Sequence, residues 1–439
     1  MGITNQKEAE DLIYRSFLRA KDHIPVADDA VTRDIALTRE LFTRAGHPER
    51  GTRTILVTGS KGKGTTSRMI ASILREHGYN VGLFTSPHLL DFRERIRVNG
   101  EMISEEDFVH IMKALEKPVL DIDRRLPPEK YLGPIGITLT AALIYFREQK
   151  TDINVVECGR GGRYDETNLL ANEWAVITPI MSEHIGPLGK DVYTICDHKL
   201  GIIKALTSHT VIGHQSENVF RYMQMHDLLK TKSNVYYFDH SLWVSGEKLR
   251  LHGLTFHVHT DLAEYRDLTL STVGRFQADN AATAIKTCET VLGRPLSVKK
   301  VRKALRQVNF SGRCEIIDHC PLTILDGTIN RASALYLKDI VQHLGAKRVV
   351  SIIAVPEDKD YHGVMEVCSQ FASRLIITEA SRSHKKFPED ALKIAQKYDA
   401  SSVKITPFTA ALREARKFHP DLIFILGTQT FIGEVKQAF

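Results

Sequence analysis

The stretch Gly59-Ser-Lys-Gly-Lys-Gly-Thr-Thr66 holds the residue types best suited to chemistry in this chain. The β-branched run Ile55 to Val57 before it reads as a buried strand, and Met69, Ile70, Ile73 and Leu74 after it recur at helical spacing. Strand, glycine loop and helix together present backbone N–H groups and a helix N-terminus to a phosphate. Lys63 would reach the β- and γ-phosphates, and Thr65 or Thr66 would offer a hydroxyl to Mg²⁺. Gly64 sits between Lys63 and Thr65, so the strict G-x-x-x-x-G-K-[ST] pattern is not met. The stretch is either a variant phosphate loop or a glycine-rich turn that binds nothing, and its flanking strand and helix favour the first. Glu157 ends the run Asp152 to Glu157 beside the glycine-rich Cys158 to Asn168, a fitting second ligand for a nucleotide-bound Mg²⁺. Ser86 and His88 follow the strand Asn80 to Phe84, and Ser182-Glu-His184 follows the strand Trp174 to Ile180. Both places are carboxyl ends of strands, where open α/β sheets bind ligands.

The elements that must position these groups read as an α/β chain. Helical spacing marks Glu8–His23 and Thr32–Ala45, then Ile137–Phe146, Tyr193–Leu200 and Gln277–Leu292. Ser104 caps a helix with acids in its first turn, and Ser297 caps another. Leu229–Leu268 alternates as antiparallel strands, including Val235–Phe238. From Leu322–Asp326 onward βα units recur, with strands at Val349–Val355, Arg374–Thr378 and Leu422–Leu426, the last without a clear helix after it. The expected domains are 1–310 and 311–439.

Hydrophobic residues make up 43% and charged residues 26% of the 439, a composition that supplies an ample core. No apolar run is long enough to span a membrane, and Met1 to Glu10 lacks a signal-peptide core. The six cysteines form no C-x-x-C pair, which fits reduced thiols in a cytoplasm and no cysteine metal site. A net charge of +6 without basic runs suits small anionic ligands and gives no footprint for nucleic acid.

Taken in order, the motifs resemble the folylpolyglutamate synthase / dihydrofolate synthase family within the Mur ligase superfamily. The family's V-x-G-T-N-G-K-G-S is similar to Val57-Thr-Gly-Ser-Lys-Gly-Lys-Gly-Thr65, and its S-P-H-L … E-R-I-R-x-x-G to Ser86–Leu89, Glu94–Arg97 and Gly100. Its G-G-R-x-D-x-T-N is similar to Gly161–Asn168, and its H-x-x-x-L-G … E-K-A-G-I-x-K to His184, Leu188-Gly189 and His198–Lys204. Its G-x-H-Q-x-x-N, P-G-R and D-G-A-H-N are similar to Gly274–Asn280, Ser311–Arg313 and Asp326–Asn330, and its D-K-D to Asp358–Asp360.

The resemblance implies a Mur-ligase-type central domain with a variant P-loop and mostly parallel sheet, plus a smaller C-terminal Rossmann-like domain. It implies an ATP-dependent ligase that joins an amino acid to a carboxylic acid through an acyl phosphate, with ATP and two Mg²⁺ ions. Gly59, Ser60, Lys61, Gly62, Lys63, Gly64, Thr65 and Thr66 would hold ATP with Asn280, Arg313 and Asp326, the last two from the second domain. Thr65, Ser86 and Glu157 would ligate the first metal; His184 would join Glu157 at the second, which a carbamylated Lys199 would support. Lys63, His184 and Lys199 are the expected catalytic residues, and His88, Arg93 and Arg163 the expected acceptor contacts. Arg93, Arg95 and Arg97 are either an exposed face of an alternating strand or contacts to an anionic acceptor; Asp358 and Asp360 read as a solvated turn. A cytoplasmic monomer or dimer, with no nucleic-acid or membrane partner, is expected.

Where the family has histidines, this chain has Ile329 and Phe276; where it has glutamate before the lysine, His198. The helix opening T-F-F-E is Pro134-Ile-Gly-Ile137, and the late T-x-P … R-A stretch is Thr378–His384. These changes point to an altered acceptor or amine pocket. Folate polyglutamylation is the leading reading. The others are a ligase for a non-folate acid and an inactive nucleotide-binding regulator.

Overall fold

The computed structural model describes residues 2–25, 27–250, 253–381 and 385–439. The chain divides into two compact units: Met1–Ser245, Val258–Arg266 and Asp279–Gln307 form unit 1, and Gly246–His257, Asp267–Ala278 and Val308–Phe439 form unit 2.

Unit 1 is built on eight strands: β1 (Arg53–Thr58), β2 (Val81–Phe84), β3 (Ile96–Val98), β4 (Glu101–Met102), β5 (Ile153–Glu157), β6 (Trp174–Ile177), β7 (His209–Ile212) and β8 (Val235–Tyr237). Their order is β4-β3-β2-β5-β1-β6-β7-β8. The six from β2 to β8 run parallel, and β3 and β4 add an antiparallel edge. β1, β5 and β6 bury nearly every residue, as strands covered on both faces must. Helices α1 (Gln6–Ala20), α2 (Asp29–Thr32), α3 (Ile35–Arg44), α4 (Lys63–Glu76), α5 (Glu105–Asp123), α6 (Pro134–Glu148) and α7 (Val192–Leu200) belong to the same unit. Ile13, Phe42, Phe108 and Phe146 from four of these helices join Phe84 and Val156 of the sheet in one core. α6 starts earlier than its apolar spacing suggests because Pro134 takes the first helical position.

Unit 2 carries β12 (Glu315–His319), β13 (Leu322–Asp326), β14 (Val349–Ala354), β15 (Arg374–Ile377), β16 (Val403–Lys404) and β17 (Leu422–Gly427), following the three strands β9 (Leu242–Arg250), β10 (Gly253–Thr260) and β11 (Glu264–Leu270). The sheet order is β12-β13-β17-β14-β15-β16, parallel except for the hairpin of β12 with β13. β9, β10 and β11 pair in the order β11-β10-β9, and each has residues in both units.

Several expectations change. Val235–Tyr237 is not part of the antiparallel set: it pairs parallel to β7 and closes the edge of the large sheet. β17 is followed by a helix, Gln429–Ala438, which buries Phe431, Ile432 and Val435. The division leaves 246–257 and 267–278 with unit 2, whereas the sequence-based boundary keeps all of 1–310 together. Asp360 is exposed, as a solvated turn residue would be, and it also caps the helix Tyr361–Cys368: its carboxylate accepts the Gly363 and Arg331 N–H groups, both at 2.9 Å. Of the late stretch Thr378–His384, residues 382–384 lie outside the described residues.

Candidate active site

β1 ends and the chain turns through Gly59, at φ 144°, and Gly62, at φ 83°, into α4. Gly62 is the N-cap of α4 and supplies no side-chain acceptor, so the first-turn N–H groups are left for a ligand. A Cβ on Gly62 would lie 2.5 Å from Asn280 Oδ1, which shows how closely the loop and the helix Phe276–Leu292 approach. The Ser60 and Lys61 N–H groups are held by the Pro179 carbonyl at 2.8 and 3.3 Å. Thr66 is fully buried with its hydroxyl unpartnered, while Thr65 retains slight exposure. Of the two threonines, Thr65 is the one with access to the loop's open side.

Two lysines converge on one atom. Lys63 Nζ donates to the Gly59 carbonyl at 2.9 Å, and Lys199 Nζ donates to the same oxygen at 2.8 Å. Lys199 is fully buried on α7, and Glu183 neutralises it at 2.8 Å. Burial pulls the Lys199 ammonium down to about 8 against the opposing pull of Glu183. Burial also opposes ionisation of Glu183, but Lys199 and then Lys63 outweigh it and hold that carboxyl below its usual range. Sequence reasoning passed over Glu183. His184 beside it is exposed and adopts φ 48°, a left-handed conformation uncommon for a residue with a Cβ.

Glu157 ends β5 next to β1, is 4% exposed, and accepts the Ser86 N–H at 2.9 Å. A Cβ on Gly64 would meet the same carboxylate at 3.1 Å. The structure therefore brings together the loop, Lys63, Ser86, Glu157, Lys199 and Asn280 in unit 1. Among the described residues no cluster of three or more His, Cys, Asp or Glu side chains could hold a metal by itself. One carboxylate with nearby hydroxyls is the donor set magnesium uses when phosphates and water complete its shell, so these residues fit a nucleotide-bound Mg²⁺.

Of the expected acceptor contacts, Arg93 is tied to Asp91 at 2.7 Å and Arg163 is exposed. His88 Nδ1 accepts from Arg95 Nε at 3.0 Å, and burial with the Arg95 charge pushes its imidazole down to about 4. In unit 2, Arg313 donates two bonds to the Gln429 amide oxygen, at 2.8 and 2.9 Å in the amide orientation that satisfies both groups. Asp326 accepts the Cys314 N–H at 2.8 Å and the Thr328 hydroxyl.

A buried ion cluster braces the glycine-rich loop after Glu157. Arg33, beside α2, lies 3.1 Å from Asp165, 3.4 Å from Glu166 and 3.5 Å from Asp29. Arg160 binds Asp29 with two nitrogens, and its backbone N–H donates to Asp165 at 3.1 Å. Burial opposes the charge on Arg33, but its three carboxylates hold it firmly protonated. Burial pushes Glu166 up to about 7. A Cβ on Gly133, the N-cap of α6, would run into the Glu166 carboxylate. The acid missing from Pro134–Ile137 is thus matched by another at the same helix start. His198, 6% exposed, leaves Nδ1 unpartnered and sets Nε2 3.7 Å from Asp28. Phe276 packs on Tyr336 with ring centroids 4.9 Å apart, and Ile329 is half-buried.

Residues 57–288 match the Mur ligase middle domain, which places the chain among the Mur-type ligases. It is 29% identical over 423 residues to the dihydrofolate synthase/folylpolyglutamate synthase of Bacillus subtilis (strain 168), covering 91% of this chain and 93% of that one. With the enzyme of that name from Buchnera aphidicola subsp. Schizaphis graminum, identity is 30% over 312 residues, covering 71% of this chain and 70% of that one. The structure of Mycobacterium tuberculosis folylpolyglutamate synthase complexed with ADP and AMPPCP shares the fold, with a TM-score of 0.86 and 23% identity, over 97% of this chain and 98% of that one. The chain belongs to the dihydrofolate synthase/folylpolyglutamate synthase family.

Proposed function

We propose that this protein uses ATP to join glutamate to a folate-type acid. The observation that carries the reading is the uncapped glycine loop of α4 with Lys63, Glu157 and Asn280 gathered on it. An oxygen of the acceptor carboxylate attacks the γ-phosphorus as the bond to the ADP oxygen breaks. The amine nitrogen of glutamate then attacks the acyl carbon, phosphate leaves, and a proton is lost from nitrogen. Magnesium, when bound, supplies charge neutralisation at the triphosphate.

The chain's own groups position and neutralise. The first-turn amides of α4, from Lys63 to Thr65, and the Lys63 ammonium hold the phosphates, with Lys63 giving up the Gly59 carbonyl to do so. Thr65, Ser86 and Glu157 would hold the first metal; His184, with Glu157, and a carbamylated Lys199 would serve the second. Buried and close to 8, Lys199 spends part of its time as the neutral amine that reacts with CO₂ to give a carbamate. The five buried cysteines, all unpaired, suit a reducing cytoplasm.

ADP release with Mg²⁺-ATP across a matrix of acids and amino acids, with mass spectrometry of the products, tests the reading. Dihydropteroate or tetrahydrofolate gaining one glutamate is the expected result. ADP release only with another acid would move the protein to a different substrate class.

A further inference from the structure

Two loops of unit 1 carry or follow groups of the site. Residues 158–168 follow Glu157, and residues 182–190 hold Glu183 and His184. The second loop is open to solvent: Ser182, His184, Ile185 and Gly186 are all exposed. Its tip closes on itself. The Gly186 and Gly189 N–H groups donate to each other's carbonyls at 2.9 and 3.2 Å, and the Leu188 N–H donates to the His184 carbonyl at 3.1 Å. Among the described residues, one hydrogen bond reaches 184–190 from another element: the Asp29 N–H donates to the Pro187 carbonyl at 2.9 Å.

Asp29 also binds the first loop. It is 1% exposed, and its two carboxylate oxygens receive Arg160 Nε, at 3.1 Å, and Arg160 Nη2. Arg33 stands 3.5 Å from the same carboxylate and donates onward to Asp165 at 3.1 Å and Glu166 at 3.4 Å. Asp165 in turn accepts the Arg160 N–H at 3.1 Å. α2 is four residues long, too short for its own hydrogen bonds to fix where it lies. Its cap is supplied by Asp28, whose carboxylate accepts the Ala30 N–H at 2.8 Å, so the buried charge of Asp29 is not needed for capping. That charge instead holds α2 on the first loop while the N–H of the same residue holds the second.

We infer that Asp29, with Arg33 and Arg160, is a positioning residue that ties the 182–190 loop to the 158–168 loop and so sets His184 against Glu157 for the second metal. The tie itself is geometric; the use made of it rests on the ligase reading above.

Asp29→Asn keeps the backbone N–H and the side-chain volume but removes the charge between Arg160 and Arg33. Two measurements on the full chain test the inference. In hydrogen exchange without ligand, the Leu188 and Gly189 amides of Asp29→Asn exchange at least about tenfold faster than in wild type, because the loop opens locally. In a Mn²⁺ titration followed by EPR with AMPPCP bound, the first ion keeps its affinity within about twofold. The second binds about 10–100-fold more weakly, the usual loss when a group that orients a metal ligand is removed. Arg19→Gln breaks the pair with Asp123, at 3.0 Å, elsewhere in unit 1; it lowers Tm and leaves both readouts at wild-type values. Unchanged exchange, an unchanged second Mn²⁺ affinity, or both ions weakening together overturns the inference. If Asp29→Asn loses its melting transition, Arg160→Gln is judged by the same criteria. If wild type binds a single Mn²⁺ with AMPPCP, it is the two-metal reading that fails. The tie between the loops is then decided by exchange alone: faster rates in Asp29→Asn support it and equal rates overturn it.

Discussion

Glu166 carries its proton up to neutral pH because burial penalises its charge more than Arg33 rewards it. Its carboxyl is raised from the ordinary glutamate value to about 7. The contribution to stability is therefore complete below the unfolded value and is lost as pH rises through about 7. Glu166→Gln, permanently neutral, is expected to melt close to wild type at pH 5. At pH 8.5 it is expected to be more stable by about 1–3 kcal/mol, read as a Tm difference that opens with pH. Lys63→Met is expected to lower the rate of ADP formation by about 10²–10³ with little change in Tm, since the lysine is half-buried and among the described residues its hydrogen bond goes to a loop carbonyl. For Lys199, ¹³C NMR under ¹³CO₂ should show a carbamate carbon that is absent from Lys199→Met. Little of this was legible from spacing. The Glu183 to Lys199 pair spans a loop and a helix, and Glu166 meets Arg33 from more than a hundred residues away.

The phosphate loop was legible because its signal is local: a buried strand, glycines and an apolar-periodic helix adjoin in the chain. Gly62 gives that loop a sharp test. Its left-handed φ of 83° and the nearby Asn280 amide both oppose a Cβ. Gly62→Ala is expected to weaken AMPPCP binding at least about tenfold, through about 1–2 kcal/mol of backbone strain plus displacement of Asn280. Gly46, at φ 73° with nothing within 4 Å of the place a Cβ would take, is the control: Gly46→Ala meets the strain alone and keeps binding intact. Elements that depend on distant partners were harder to read. β8 is three residues long, and its parallel pairing to β7 is a tertiary fact with no periodic trace. Arg93 and Arg95 lie on a tight 3-10 turn, Phe92–Arg95, so a period of two did not describe which of them is buried.

At the scale of the whole chain, unit 2 draws part of its core from before Val308. Val273 is fully buried there with Cys314, Ile324 and Phe424. The Thr272 hydroxyl bridges the Arg313 and Cys314 carbonyls at 3.1 and 3.2 Å. Arg275 binds Glu247 at 3.0 Å and His343 at 2.8 Å. A polypeptide of residues 308–439 alone is expected to melt well below the same unit in the full chain. Loss of the Val273 side chain by itself is worth about 1.5–3 kcal/mol. Differential hydrogen exchange of β13 in the two polypeptides would check this. The general two-part α/β plan was legible in the recurrence of βα units; the interleaving was not, because β9 to β11 alternate alike on either side of each crossing.

The place of β17 has a consequence for how the protein is made. It is the last strand of the chain, yet it lies between β13 and β14 and pairs with both. While the ribosome is still adding residues, the facing edges of β13 and β14 have no partner, and unpaired edges are the surfaces that recruit other chains. The second unit therefore cannot close until β17 has emerged from the ribosome, so nascent-chain aggregation would concentrate in the interval between the emergence of β14 and that of β17.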